Sequence, residues 1–448
     1  MAKEYDVIIV GGGIIGSALL YTISRYVRPK SILLMEKYGD VAMLNSNSIS
    51  NSQTLHWGDV ETNYSIDKAK KTKAASERVL RFTSKLPSAE RAADIQECQK
   101  MVLGVGDKEI DIIDKIFSPQ FRGLFPGAKK IGREELAKIE PNVVNGRDPK
   151  EKLSAILSDT GHMVNFNALA HSLVNQAIAT KGVKVDVLFN TNADRIEERE
   201  SDNSVFANGE EYKARFVDVA AGTYSLFFAK RMGYAQDLSS LSVGGNFYYS
   251  NKVLNGKVYR VQIGGIPFAA VHGDPDITDP NITRFGPTVS IALRLERYEP
   301  GTRMDYLKTV KFDAATMSTI SKIFLGDKDV RHILKNNMLY MLPGIGKSLF
   351  LKNEVQTIVP SLKGGDLHFA KGIGGIRPQI IDEKKKALML GESKIPGRHN
   401  IIFNITPSPG ATSCLSIALE DAIHIAKVLD IGFESEAYEK ELGPIKYK

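Results

Sequence analysis

An apolar run, Tyr5 to Val10, breaks into Gly11-Gly12-Gly13-Ile14-Ile15-Gly16, and a second apolar run, Ser31 to Met35, ends in Glu36. A strand that stops on glycine and turns directly into a helix opens a βαβ unit, and each glycine in it has a separate task. Gly11 permits the tight turn, Gly13 lets the backbone approach a pyrophosphate, and Gly16 lets the helix lie close on the strand. Glu36 closes the second strand and can hold a ribose diol. The helix beginning near Ile14 offers free N–H groups and a positive dipole end to phosphate. The chain is therefore expected to bind a dinucleotide.

Composition narrows the class. With 448 residues, 43% apolar and 25% charged, the chain reads as a soluble globular protein of two or three domains. Lys+Arg 59 against Asp+Glu 52 gives +7, with short clusters at Lys68 to Lys73 and Lys384 to Lys386. Such clusters are solvated faces or contacts to an anionic membrane surface. No basic stripe is interleaved with aromatic residues, so no nucleic-acid partner is expected. Cys98 and Cys414 lie far apart without metal-ligand spacing, so neither a disulfide framework nor a metal site is expected. Glu4 and Asp6 interrupt the first apolar stretch and no basic leader precedes it, which argues for a strand over a signal peptide. The glycine-broken apolar stretch Val7 to Leu20 falls short of a bilayer span.

Periodicity supplies the organisation. Helical spacing is expected after Ile14, over Asp67 to Lys85, Asn167 to Thr180, Met304 to Asn336 and Ala411 to Leu429; strand character is expected at Met101 to Gly106, Val183 to Val187, Asn192 to Glu200, Phe216 to Ala220, through 241 to 300, and at Ile401 to Ile405. Asn45 to Thr54, rich in Asn and Ser, reads as a loop leaving the cofactor crevice. The expected fold is α/β. A discontinuous dinucleotide-binding Rossmann-like domain takes residues 1–95, 151–240 and 345–448, and a mixed β-sheet substrate-capping domain with helices takes 96–150 and 241–344.

Four separated segments resemble one superfamily. They are the glycine turn with Glu36, the loop Asn51-Ser52-Gln53-Thr54-Leu55-His56, the strand end Ala220-Ala221-Gly222-Thr223-Tyr224-Ser225, and Thr406-Pro407-Ser408-Pro409-Gly410-Ala411-Thr412-Ser413. Together they resemble the D-amino-acid-oxidase-like FAD proteins. Within these, Thr54, His56, Glu61, Asn63 and Tyr64 match the Gly-Thr-Gly-His and Cys-Glu-Leu-Asn-Tyr signature of malate:quinone oxidoreductases, whereas Gln53, Leu55, Val60 and Thr62 depart from it. The shorter epsilonproteobacterial type is the most similar. Pro267-Phe268-Ala269-Ala270-Val271-His272 with Thr283-Arg284-Phe285-Gly286-Pro287 is similar to landmarks shared with 2-hydroxyglutarate dehydrogenases, although Gly273-Asp274-Pro275-Asp276 departs from the usual continuation.

The resemblance implies FAD, held by Gly11, Gly13, Ile14, Ile15, Gly16, Glu36, Lys37, Asn51, Ser52, Ala193, Ala221, Gly222 and the Pro409-Gly410-Ala411-Thr412 helix start, whose N–H groups would meet charge arriving on the flavin. It implies oxidation of a small 2-hydroxy acid, malate foremost, with electrons passed to membrane quinone. The expected location is the cytoplasm, peripheral on the inner membrane face. Lactate or 2-hydroxyglutarate oxidation, an amino-acid oxidase and a non-catalytic dinucleotide binder are the alternatives. His272 is the first candidate base and His56 the second, histidine being suited to proton transfer near neutral pH; either can equally be a hydrogen-bonded structural residue. Arg377 is the candidate carboxylate clamp. Arg284, Gln53 and Thr54 are expected at the substrate, Arg284 on a second carboxylate. The stripe Leu307, Val310, Phe312, Ile320, Ile323 and Phe324 is either core or a bilayer contact.

Overall fold

The computed structural model describes residues 3–262, 270–326, 328–389, 393–406 and 409–446. The first apolar run forms the strand Lys3–Val10, which pairs in parallel with Ser31–Met35 on one side and Glu210–Val219 on the other. Ser31–Met35 then pairs with Lys184–Leu188, and Glu210–Val219 with Ile401–Ile405, both in parallel. Ser393–Pro396 and the antiparallel strands Ala193–Glu198 and Asn203–Ala207 complete an eight-stranded sheet. Val7 and Ile9 face one apolar core with the helices Ile14–Tyr26, Phe166–Ile178 and Cys414–Leu429, while Ile8 and Val10 face another with Leu226, Phe227 and Phe228. Burial on both faces is why this strand reads as a continuous apolar run and not as an alternation.

A ten-stranded sheet forms the second body. Its main path runs Ala387–Met389, Ile376–Asp382, Leu238–Asn251, Ile282–Ile291, His272–Pro275, Lys257–Arg260, Lys100–Val105, Leu153–Ser158 and Lys129–Gly132. All its pairings are antiparallel except Lys257–Arg260 with Lys100–Val105. Four strands lie here that the sequence reading gives to the cofactor domain: Leu153–Ser158, paired along Lys100–Val105; Ile376–Asp382, paired along Leu238–Gly244; His368–Phe369, paired with Leu238–Asn251; and Ala387–Met389, paired with Ile376–Asp382. Strand period reveals that a segment is β but not which sheet accepts it.

One further expectation changes. The last helix begins at Cys414, and Gly410 to Thr412 form turns in front of it, with the Ser413 N–H donating to the Pro409 carbonyl at 3.2 Å. The stretch Met304 to Asn336 is broken into Arg303–Leu307, Ala314–Leu325 and the start of Lys328–Tyr340. Leu307 and Val310 pack against the core around Leu226, and Ile320 packs over Leu241 and Val243, so these three stripe residues are core, whereas Phe312 is 65% exposed. The side chains of Ile323 and Phe324, like Pro267, Phe268, Ala269, Pro407 and Ser408, lie outside the described residues. Among the described residues no helix is long and apolar enough to cross a membrane.

Candidate active site

The parallel strands Lys3–Val10, Ser31–Met35 and Glu210–Val219 end at the same edge, the position where open α/β sheets hold their ligands. One continuous cavity of about 820 Å3 opens there and extends to the second sheet at Val243, Arg377 and Gln379. Its size is that of a site for a small molecule or cofactor.

The glycines behave as the fingerprint requires. Gly11 has φ +109° and a Cβ there would lie 2.6 Å from the Ala220 carbonyl oxygen; a Cβ on Gly16 would lie 1.9 Å from the Gly11 carbonyl oxygen. Gly13 has room, its nearest neighbour being the Ser46 hydroxyl at 3.5 Å from such a Cβ. Gly13 caps the Ile14–Tyr26 helix without any side-chain bond, so the first-turn N–H groups face the cavity without an intrahelical acceptor, apart from Ile14 N–H, which donates to Ser46 at 3.0 Å. Glu36 accepts from Gly12 N–H at 2.7 Å and Tyr38 N–H at 2.9 Å; burial raises its carboxyl above the ordinary value, against the pull of those bonds. Gly16 packs beneath the turn, outside the cavity wall. The other expected cofactor positions, Gly11, Gly13, Ile14, Ile15, Glu36, Lys37, Asn51, Ser52, Ala193, Ala221, Gly222 and Pro409 to Thr412, all line it. Lys37 is already ion-paired with Glu296, which also receives the hydroxyls of Tyr38 and Tyr224. Lys37 therefore has its charge balanced by protein. The uncapped helix start and the glycine cradle suit a dinucleotide pyrophosphate. Gly16→Ala is expected to yield a folded protein purified without bound flavin, checked by absorbance near 450 nm; full flavin content would contradict the cradle.

Two histidines reach the cavity, each tied to a carboxylate. His56 Nδ1 lies 2.6 Å from Glu61 Oε1, its backbone N–H donates to the Thr412 hydroxyl at 3.1 Å, and its carbonyl accepts from Ser76. Burial acts to raise the Glu61 carboxyl, but the His56 hydrogen bond and charge, with Lys100, outweigh it and hold it at about 2. His272 is buried, stacked on Tyr259 at 4.7 Å between centroids, with Nδ1 2.5 Å from Asp274 Oδ2 but outside hydrogen-bond alignment. Asp274 also pairs with buried Lys257 at 3.3 Å. Against burial, the charges of His272, Lys257 and Arg284 hold its carboxyl at about 2.

Arg377 is half-buried on the cavity wall, and among the described residues no carboxylate stands within ion-pair distance of it. Burial lowers the guanidinium from its ordinary value, with the Tyr64 phenol acting the other way. Thr54 lines the cavity and shares a 2.7 Å hydrogen bond with the Tyr259 hydroxyl. Arg284 and Gln53 do not line it. Arg284 pairs with Asp276 at 3.1 Å and donates to the carbonyls of Ser48 and Asn51, and Gln53 bridges Asp276 and the Ser48 carbonyl. These two brace the Asn45–Thr54 loop from behind.

Sequence reading missed the partners: Glu61 entered only as a motif letter, Asp274 only as a departure, and Lys257 and Tyr259 not at all. Adjacent-strand register, His272 opposite Tyr259, would have been the signal. Above about pH 4.5 the depressed Glu61 and Asp274 carboxyls contribute stability that is lost as pH falls towards 2. Asp274→Asn is therefore expected to show a shallower loss of thermal stability between pH 6 and 3; a slope equal to the parent's would contradict the ion-pair account.

A parallel sheet with a glycine turn at its edge, a second sheet closing the crevice, and histidines and an arginine at their junction define a dinucleotide-binding oxidoreductase fold. Solved structures agree on the fold: L-alpha-glycerophosphate oxidase from Mycoplasma pneumoniae with FAD bound (TM-score 0.64, 18% identity, covering 100% of this chain and 99% of that one) and glycine oxidase from Geobacillus kaustophilus (TM-score 0.65, 17%, 95% of each). The chain belongs to the malate:quinone oxidoreductase family, whose profile matches residues 3–444. It is 40% identical to a probable malate:quinone oxidoreductase of Campylobacter jejuni over 98% of this chain and 99% of the relative, and 39% identical to the malate:quinone oxidoreductase of Helicobacter pylori over 99% of each.

Proposed function

We propose that this protein is an FAD-dependent malate:quinone oxidoreductase that oxidises (S)-malate to oxaloacetate. Family membership over the whole chain supports the reaction, and the observation that carries the site is Arg377, a guanidinium with no ion-paired carboxylate among the described residues, lining the same cavity as two carboxylate-tied imidazoles. FAD supplies the two-electron acceptor for the C2 hydride and hands the electrons on to quinone. The cradle from Gly11 to Ile15 with Glu36 would hold its phosphates and ribose, and the turns Pro409 to Thr412 would supply N–H groups to charge arriving on the flavin.

Arg377 receives the C1 carboxylate as a bidentate fork and fixes which face of C2 is presented. His56 takes the C2 hydroxyl proton. Glu61 holds the proton on Nδ1 and leaves Nε2 as the acceptor, as a carboxylate does for any imidazole base. The preference over His272 rests on two features. The His56 side chain is 17% exposed and that of His272 4%, and Asp274 has its charge already balanced by Lys257, which weakens its support of the ring. His272 then orients substrate from the Tyr259 stack. The cofactor body comprises the first sheet and its helices, the capping body the second sheet, and the enzyme works on the cytoplasmic face of the membrane.

The test is anaerobic bleaching of the bound flavin by L-malate, L-lactate, L-2-hydroxyglutarate and D-alanine in turn, then reoxidation by a soluble quinone or by air. Malate bleaching with quinone reoxidation is the expected result. Bleaching by the amino acid alone, with fast air reoxidation, would replace the reading by an oxidase.

A further inference from the structure

The helix Lys328–Tyr340 ends in a turn that runs into the helix Gly346–Asn353, and this turn presents apolar side chains to solvent. Met338 is 68% exposed, Met341 54%, Leu342 43% and Ile345 56%. Residues 341 to 345, Met-Leu-Pro-Gly-Ile, are all exposed. The projection is built. Tyr340 and Phe350 meet edge-to-face at 5.4 Å beneath it, the Tyr340 hydroxyl donates to Glu354 at 2.8 Å, and Gly346 N–H donates to the Leu342 carbonyl at 2.9 Å. A Cβ on Gly346 would stand 2.2 Å from the Tyr340 carbonyl oxygen, so the close crossing of the two helices requires glycine there. Asn337 secures the base by accepting from Val289 N–H at 2.5 Å.

The segment that carries the turn is cationic. From Val330 to Asn353 the chain carries Arg331, Lys335, Lys347 and Lys352 and no Asp or Glu. Water solvates four large apolar side chains on a fixed tip poorly, and a net positive charge on the segment that carries them disfavours pairing this face with a second copy of itself. Exposed apolar side chains on a segment rich in cations match a bilayer surface with anionic headgroups, where acyl chains take the former and phosphates the latter.

We propose that the Met338–Ile345 turn inserts into an anionic lipid surface, with Lys335 and Lys347 against its headgroups. The proposal goes beyond the reading of the active site and rests on it only for the reason a quinone-linked enzyme needs a bilayer. The experiment is sedimentation of the holoenzyme with vesicles of phosphatidylglycerol and phosphatidylcholine, or of phosphatidylcholine alone. Parent, Met341→Glu/Leu342→Glu and Lys335→Glu/Lys347→Glu proteins are compared, and each is also assayed for malate-dependent reduction of a water-soluble quinone. The expected result is a parent preference of about tenfold or more for the anionic vesicles and a loss of about tenfold in both variants, with soluble-quinone activity unchanged. Equal partitioning of parent and variants, or no partitioning of the parent, overturns the proposal. So does a fall in native mass of the Met341→Glu/Leu342→Glu protein with vesicle binding intact, which would assign the turn to a second copy of the chain. Absence of malate activity in the parent would instead remove the active-site reading, while the vesicle result still judges the turn.

Discussion

Replacing Arg377 by alanine is expected to raise the malate concentration for half-maximal flavin reduction by about 100-fold, the loss of about 3 kcal/mol typical of deleting one member of a charged bidentate pair. Two other cations expected at the site are already engaged: Arg284 is committed to Asp276 and two loop carbonyls, and Lys37 to Glu296. Arg377→Lys should recover only part of the loss, because a point charge cannot reproduce the planar fork. Stopped-flow reduction across a range of malate concentrations reads both variants. If Arg377→Ala saturates at the parent's concentration, the carboxylate is held elsewhere and the reading of this wall is lost.

His56→Ala is expected to slow the limiting rate of flavin reduction by about 100-fold to 10,000-fold, the range for removing a positioned base, with a much smaller effect on the concentration needed. Glu61→Gln should slow it less, since the imidazole remains but loses the carboxylate that fixes its tautomer. His272→Ala, by contrast, should act mainly on binding. A limiting rate unaffected by His56→Ala but collapsed by His272→Ala would exchange the two roles. The comparison uses rate and saturation separately because a residue that only orients substrate moves the second more than the first.

Much of the cofactor half was legible because its signals are local. The turn from Val10 to Gly16 and the closing Glu36 are read from a strand-length apolar run followed by glycines, and the structure gives Gly11 and Gly16 the close contacts that demand the missing side chain. The substrate half depends on register, which one strand's sequence does not carry. Arg284 reads as a holder of a second substrate carboxylate, yet the antiparallel pairing of Asp274 with Arg284 turns the His272–Pro275 strand and its Asp276 continuation into the arginine's counter-charge. Likewise Glu61, five residues beyond His56, becomes its partner only because the chain folds back on itself after Trp57. The helix start before Cys414 was placed early because Pro409 to Thr412 have the composition of a helix entry; their turns satisfy the same groups without helical bonding.

The Asn45–Thr54 loop is sewn to the end of the chain. Gly374 N–H donates to the Ile49 carbonyl at 2.9 Å, Ile376 N–H to the Asn45 side chain at 2.9 Å, and Ile401–Ile405 lies beside Glu210–Val219 in the first sheet. During synthesis the glycine turn leaves the ribosome first, but its loop and the neighbouring strand wait for partners made last. Flavin capture is thus expected to await the finished polypeptide, and a chain halted before residue 374 is expected to be purified without absorbance near 450 nm.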